Sequence, residues 1–534
     1  MSSHKGLGLL AVVAALGALL ALHPGAGLGL GTPPAIERIS VSTGGVEGDM
    51  ASAFASVSGD GVYVAFSSDA STLVPNDTND LRDVFVHNRL TGITTRISLT
   101  NGGGQVMAYS GGTYGAPALS DDGRYVAFAS QGGDLVPNDG NFVEDAFVRD
   151  RVAGTTERVS VNSAGVEGDN ETLTPWISGN GRYVTFSSVA RNLVPNDQNN
   201  IWDVFLHDRE THTTELVSLA TDGTYGNGSS GFLGAGAARI SDDGRYVVYG
   251  SFSDNLAPND HNHVDDIFLR DRVAGTTERV SISTAGVEGN DHSTYADVSD
   301  DGRYVVFSSL AENLVPDDNN GLQDIFLRDR LLGTTIRIQG AEQPNRTSRL
   351  PTISGDGSVV VFESEDTNMV PTGNNNTTNV YKYTVATGQI ERVSMPAGGG
   401  IPNARSSQSE VNADGSVIVF ASDASNLGPP DGNMIRDIYA WGKPLRVPPT
   451  PAPTHTPAPT PTPSPTPPLP NGDVSGDGVT NSVDGLFVLQ YSAALLSTLP
   501  RPGNADVNLD GNVTSVDATL ILQFDARLIP SLPV

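Results

Sequence analysis

The chain has 534 residues, of which 31 are Lys or Arg and 61 are Asp or Glu, giving a formal charge of −30 at pH 7. Such a surface repels polyphosphates, which excludes nucleic acid as a partner. There is no cysteine, so disulfides, thiolate metal sites, thiol nucleophiles and a lipidated cysteine are excluded too, and 60 glycines with 34 prolines point to turn-rich β structure.

Lys5 precedes an apolar run from Leu7 to Leu22, then His23, Pro24 and small residues, the layout of a secretory signal. Residues 1–31 are read as a cleaved signal peptide. An uncleaved anchor is the alternative, because the run is slightly long and lacks a clean small-x-small site. No later stretch is apolar enough to span a bilayer, so no membrane span is expected after cleavage.

The body of the chain is one unit repeated. The string Ser299 to Phe307, S-D-D-G-R-Y-V-V-F, has relatives whose Asp-Gly or Asn-Gly step falls at Asp60, Asp122, Asn180, Asp243, Asp301, Asp356 and Asp414. Seven copies, roughly 58 residues apart, predict a propeller or solenoid. Within a unit, a short strand such as Tyr295 to Val298 ends in the tight turn, where glycine tolerates positive φ. The next strand, Tyr304 to Ser308, is apolar on both faces and so must lie between two layers. Asp324 to Asp329 and a last strand such as Glu278 to Ile282 complete four strands per unit, the number in a propeller blade.

Units one to six each have a fourth strand, and the last unit runs into proline after Asp437 to Trp441. The strand Ile36 to Val41 matches Thr277 to Ile282 and can complete the last blade. A seven-bladed propeller closed by the N-terminal strand is therefore expected over residues 32–447. The Ser-x-Asp-Gly-Arg-Tyr-Val pattern resembles the TolB-like and WD40-like propeller repeats of bacterial envelope and secreted proteins, a resemblance that implies fold far more than function.

A second repeated element, Leu-Val-Pro-Asn-Asp followed by Asp-x-Asn-x-x-x-Asp, runs from Asp77, Asn79 and Asp83 in the first unit to Asp431, Asn433 and Asp437 in the seventh. Only the sixth unit departs, with Gly373, Asn375 and Asn379. Capping of the loop's own turn is the favoured reading, with blade-loop calcium as the alternative. Single-copy residues on the first strands or their entry loops are Glu171, Trp176, His292, Asp297 and Glu410. First strands line a propeller's channel, so paired carboxylates there would suit glycoside hydrolysis. Solvated acids and a packing Trp176 are the simpler reading, and no catalytic residue is assigned. Trp202 and Trp441 read as packing residues. Gly226 to Gly231, G-N-G-S-S-G, fits a dinucleotide fingerprint by letter, yet no helix follows it.

Residues 448–470 are almost all Pro and Thr, a spacer in extended conformation that at ~3.1 Å per residue reaches on the order of 70 Å. Beyond it, Asp473 to Asp484, D-V-S-G-D-G-V-T-N-S-V-D, recurs as Asp506 to Asp517, D-V-N-L-D-G-N-V-T-S-V-D. A hard divalent cation needs six or more oxygens, and each loop carries Asp at positions 1, 5 and 12. The first set is Asp473, Ser475, Asp477, the carbonyl of Val479, Asn481 and Asp484. The second is Asp506, Asn508, Asp510, the carbonyl of Asn512, Thr514 and Asp517. Gly478 and Gly511 permit the sharp turn. Ser475 is a poorer ligand than Asn508, so the first loop should bind more weakly.

Each loop runs into an apolar segment with helical spacing, Val483 to Leu496 and Val516 to Leu528. Paired loop-helix motifs with Asp at position 12 and no preceding helix depart from a full EF-hand and resemble a type I dockerin, over residues 471–534. The resemblance implies a small all-α domain holding two calcium ions. It also implies a cohesin partner on a scaffold or surface protein, met by positions 10 and 11, Ser482 with Val483 and Ser515 with Val516. The identical pairs suggest that either half can present the same face.

Together these features predict a secreted or cell-surface, mainly β protein: a propeller joined by a linker to a calcium-binding dockerin. The function expected is a non-catalytic propeller, carried onto a cohesin-bearing scaffold, that binds a polysaccharide or a protein. The alternative is a dockerin-borne glycoside hydrolase or lyase with a channel site.

Overall fold

The computed structural model describes residues 35–442, apart from 112–115, 198, 233–236 and 397, together with 474, 480, 482–492, 518 and 521. The proposed signal peptide and linker lie outside the described residues. So do Asp473, Ser475, Asp477, Val479, Asn481, Asp506, Asn508, Asp510, Asn512, Thr514, Ser515, Val516 and Asp517. The chain divides into two units, one ending at Pro448 and one beginning at Pro449.

The described strands of the first unit form seven antiparallel four-stranded sheets. This is a seven-bladed β-propeller. Blade 5 is typical, with strands Ser293–Val298, Tyr304–Ser309, Asp324–Asp329 and Thr334–Ile338 running from the axis outward. Their second and third strands are buried on nearly every position. That is why they read as continuous apolar runs, and each blade stacks one aromatic pair at this level, such as Phe307 on Phe326 at 5.7 Å.

Closure works as the strand count predicts. Ala35–Arg38 pairs antiparallel with Asp437–Gly442, Ile36 opposite Trp441, and supplies the outer strand of the blade built from Ser406–Val411, Val417–Ser422 and Asp437–Gly442. Fourth strands are shorter than the sequence suggests. Thr276–Arg279 replaces the expected Glu278 to Ile282, because Ser281 ends the ladder with its side chain. Its hydroxyl accepts the Ile267 amide at 3.0 Å and donates to Asp266 at 2.5 Å. Ser40, Ser98, Ser160 and Ser218 do the same in other blades.

Neighbouring blades are stapled by arginines. Arg209 at the end of one third strand pairs with Glu157 of the blade before, 2.5 Å away, and lies over the ring of Tyr125, 4.1 Å from its centroid. Arg272 repeats this with Glu215 and Tyr183. At the Asp-Gly turns a second set of links joins adjacent blades through the backbone. Asp121 donates its amide to the Gly179 carbonyl at 2.9 Å, Asp300 to Gly355 at 2.9 Å, and Asp356 to Ala413 at 3.0 Å.

The glycine-rich G-N-G-S-S-G segment has a packing role. A Cβ on Gly228 would stand 2.5 Å from the Phe252 carbonyl oxygen and 2.8 Å from the Ser253 nitrogen, and Gly231 has φ of +67°. Backbone cannot yield there as a side chain would. Gly228→Ala should therefore lower the stability of the full chain by about 1–3 kcal/mol. Urea denaturation followed by intrinsic fluorescence measures it, and an unchanged midpoint would contradict the packing.

Candidate functional site

Seven nearly identical blades make one site only where their symmetry breaks. Two residues before the Ser (or Asn412) that opens each Asp-Gly or Asn-Gly turn, the innermost strands carry Ser56, Ala118, Trp176, Arg239, Asp297, Thr352 and Glu410. All seven occupy one register level, each opposite the third residue of its second strand, as Trp176 is opposite Thr185 and Glu410 opposite Val419. The very next position reads Val57, Leu119, Ile177, Ile240, Val298, Ile353 and Val411, uniformly aliphatic. Packing dictates one level and leaves the other free to specialise.

Four of the seven, Trp176, Arg239, Thr352 and Glu410, line a cavity of about 160 Å³ to which all seven blades contribute. Across it, Arg239 Nη2 meets Glu410 Oε1 at 2.5 Å, joining blade 4 to blade 7. The same guanidinium stacks on Trp176, 3.5 Å from the ring centroid. Burial holds the Glu410 carboxyl above its ordinary range, with Arg239 acting against it. Asp297 accepts the amides of Ile353 and Val298, each at 2.9 Å. Burial pushes its carboxyl up to about 7; Arg239 opposes the shift and Glu410 adds to it.

In five blades the inner strand also carries a bulge, with a non-glycine residue in the left-handed region: Phe54, Thr174, Tyr295, Leu350 and Gln408, at φ of 49–57°. Such residues cost of order 1–3 kcal/mol each. All five line the cavity. In blades 2 and 4 the described inner strand is only two residues long, Ala118–Leu119 and Arg239–Ile240.

Of the single-copy residues, the structure thus brings Trp176, Asp297 and Glu410 together. Glu171 and His292 sit at the opposite ends of their inner strands, and His292 is tied to Asp265 at 2.9 Å. Arg239 was missed, although alignment of the repeats on their turns would have found it. Trp202 stacks on Phe232 and Trp441 lies beside Lys382, both as packing residues.

Several blade loops hold a cation of their own, though blade 3 has Leu216 at the place of the arginine. Asp139, Asp145 and Glu167 place oxygens within 4.8 Å of one another, but Arg158 Nη1 stands among them at 3.6, 3.4 and 2.6 Å. Arg279 and Arg337 fill the equivalent loops of blades 4 and 5. The middle Asn caps its own turn as expected, Asn141 Oδ1 accepting the Val143 amide at 3.1 Å. The arginine on the fourth strand is what the sequence reading lacked.

In the second unit a helix spans Ser482–Ser492. Ser482 and Val483 open it. Asp484, position 12 of the first loop, is fully buried and accepts the Val474 amide at 2.9 Å, so its carboxylate folds back onto the start of the loop. Of the donors proposed for this loop Asp484 is among the described residues, and a carboxylate at that position suits calcium. Ala518 and Ile521 of the second apolar segment are helical and buried. Leu486, 46% exposed, follows Ser482 and Val483 by one helical turn.

Residues 471–524 match the family model described as Dockerin type I domain. The chain is thus a seven-bladed β-propeller that carries a type I dockerin. A dockerin implies attachment through a cohesin, calcium binding, and the extracellular or cell-surface setting typical of such proteins. No curated protein matches the sequence. Similar solved structures include TolB from Acinetobacter baumannii, 15% identical with a TM-score of 0.32, covering 56% of this chain and 59% of that one. An oligogalacturonate lyase from Vibrio parahaemolyticus is 12% identical with a TM-score of 0.45, over 76% of this chain and 93% of the other. The propeller domain of the Trilobed protease from Pyrococcus furiosus is 12% identical, TM-score 0.45, over 74% and 96%. Among the described residues, no helix is long and apolar enough to cross a membrane.

Three outcomes follow from this geometry. Arg158→Leu strands three carboxylates and should cost about 3–5 kcal/mol in urea denaturation. In the same assay, chelator should leave the propeller's transition in place, whereas a large chelator-induced loss would mean that the loops rely on metal. Because the folded value of Asp297 is raised, its contribution to stability is full below about pH 4 and is lost as pH rises through 7. Asp297→Asn should flatten the stability profile across that window, removing a slope of at most roughly 1.4 kcal/mol per pH unit. An unaltered slope would count against a titrating Asp297.

Proposed function

We propose that the chain is a secreted, non-catalytic binding protein whose propeller is cargo and whose dockerin is the attachment. The dockerin match over residues 471–524 is the observation that carries this reading. Two calcium ions are held by Asp473, Ser475, Asp477, Val479, Asn481 and Asp484, and by Asp506, Asn508, Asp510, Asn512, Thr514 and Asp517. Ser482 with Val483, or Ser515 with Val516, meets the cohesin. A cleaved signal over residues 1–31 and a spacer over 448–470 complete the arrangement. The propeller then faces a polysaccharide or protein ligand with its channel. Support for a non-catalytic channel comes from Glu410, which is spent on Arg239.

A second reading, a polysaccharide hydrolase or lyase, is favoured by Asp297, which near neutrality could donate a proton beside the Glu410 carboxylate. Incubation of the full chain with insoluble plant and microbial polysaccharides separates the two: depletion without released reducing or unsaturated ends supports binding, and released ends support catalysis.

The attachment has its own test. Full-length protein should be captured by immobilised type I cohesins in calcium and released by chelator. The double change Asp473→Ala with Asp506→Ala should abolish capture, because metal binding and dockerin folding are coupled. Capture that ignores calcium would overturn the assignment of these loops.

A further inference from the structure

Equivalent positions of the seven blades differ in the loops as well as in the channel. In the loop between the second and third strands, one residue of every blade has φ of 54–62°, in the left-handed region. Five blades place Asp80, Asn200, His263, Gly321 and Asn376 there, residue types that accept this conformation. Blades 2 and 7 place Phe142 and Met434, which are 87% and 81% exposed. In the loop that leads into each inner strand, Asp49, Asp169, Asn227, Asn290, Asn345 and Asn403 accept a backbone amide of a neighbouring loop at 2.8–3.2 Å. Blade 2 differs: Gln105 pairs with Leu99 as Glu47 pairs with Val41, so the counterpart of Asp49 is Met107, 68% exposed. At all three positions a long apolar side chain stands in water where the local backbone suits a short polar one.

The three lie on adjacent blades. Asn433, beside Met434, donates to the Gly48 carbonyl at 2.7 Å, just before Met50, and Asn79, beside Asp80, donates to the Val106 carbonyl at 2.9 Å, next to Met107. The Tyr109 carbonyl accepts the amide of Gln131, at the start of the loop that carries Phe142, at 3.2 Å. Met50 and Tyr109 are exposed as well. Three of the chain's six methionines therefore stand on the loops of blades 7, 1 and 2. Methionine is unbranched and fits its shape to what it meets, as surfaces that dock peptides require. Between them, Met50 and Tyr109 wall a hollow of about 500 Å³ that is also lined by Asp49, Asp69, Asp80 and Arg82. Asp69 holds Arg82 at 3.0 and 3.1 Å, so the hollow has three carboxylates to one guanidinium and a surplus of negative charge.

We propose that this face, across blades 7, 1 and 2, docks a protein segment that presents a large apolar side chain beside a lysine or arginine. This rests on the reading of the propeller as a binding module and gives that module a second face, apart from the channel. Charge complementarity names the cation: its head meets the surplus carboxylates of the hollow, and its stem lies against the Tyr109 ring. Burial of Met107, Phe142 and Met434 against the partner offsets what their exposure and backbone cost the free chain. A second copy of this chain does not fit, because two such faces would bring their carboxylates together. Asp437–Gly442 starts shortly after Met434 and carries the chain to the opposite end of the blade, so a partner here is clear of the point where the chain leaves it.

The test selects a random peptide library displayed on phage against the immobilised full chain, with counter-selection on the full-length triple variant Met107→Asn, Phe142→Asn and Met434→Asn. Enriched peptides should combine a large apolar residue with Lys or Arg and should bind the triple variant about tenfold more weakly or worse. Asp80→Lys should weaken them to a similar degree. Because asparagine suits all three positions, the unfolding midpoint of the triple variant should hold or rise; a clear fall would make these residues part of the packing and overturn the proposal. Equal binding to the wild type and the triple variant, enrichment of acidic or purely apolar peptides, or no enrichment at all would overturn it too. Polysaccharide depletion by the wild type but not by the triple variant would assign the face to glycan instead. Depletion that the triple variant retains leaves the binding-module reading standing even if no peptide is selected, whereas a full chain that takes up neither peptide nor polysaccharide brings down both.

Discussion

Everything in the propeller depends on a four-residue strand finding a partner about 400 residues away. Ala35–Arg38 completes the last blade on Asp437–Gly442, and without that pairing the ring would end in an open edge beside its first blade. Closing so long a loop costs chain entropy, although the cost grows only logarithmically with length. Local repetition offsets it, because each blade packs its core against its two neighbours and the last contact is one more copy of a contact already made. Arg38 adds an ionic lock, pairing with Asp437 at 3.0 Å and with Glu47.

Once the ring is closed by repetition, individuality has little room. The aliphatic position after each inner strand's variable residue is claimed by packing between blades, the second and third strands are buried on both faces, and the outer arginines are committed to staples. The channel level is the exception. There Ser, Ala, Trp, Arg, Asp, Thr and Glu share one register level, and four of them, Trp176, Arg239, Thr352 and Glu410, line the cavity.

The fold was legible because its signals are local and repeated: an Asp-Gly turn, a doubly buried strand, a count of fourth strands that came out one short. The dockerin was legible from two in-register oxygen-rich loops. Less legible was whatever depends on partners far apart in sequence. Trp176, Asp297 and Glu410 stood out as single-copy residues, but nothing local links Arg239 to Glu410, 171 residues on. The loop aspartates were readable as turn formers or metal ligands. Their arginine partners lie on the following strand in the Thr-Thr-x-Arg run, and only the register of the blade brings the two together. The early end of the fourth strands had the same cause, a serine side chain taking over from the backbone, which no propensity scale contains.

The closing pattern also decides how the protein bears load. A protein anchored by one terminus feels tension through the chain leaving its body, and an edge strand pulled from its end unzips one hydrogen bond at a time. Here the chain leaves from Asp437–Gly442, which is not an edge. It is clasped on one side by Val417–Ser422 and on the other by Ala35–Arg38. A pull along that strand must shear two ladders at once. A molecule tethered to a surface through this terminus therefore takes the drag on a strand that is held on both sides.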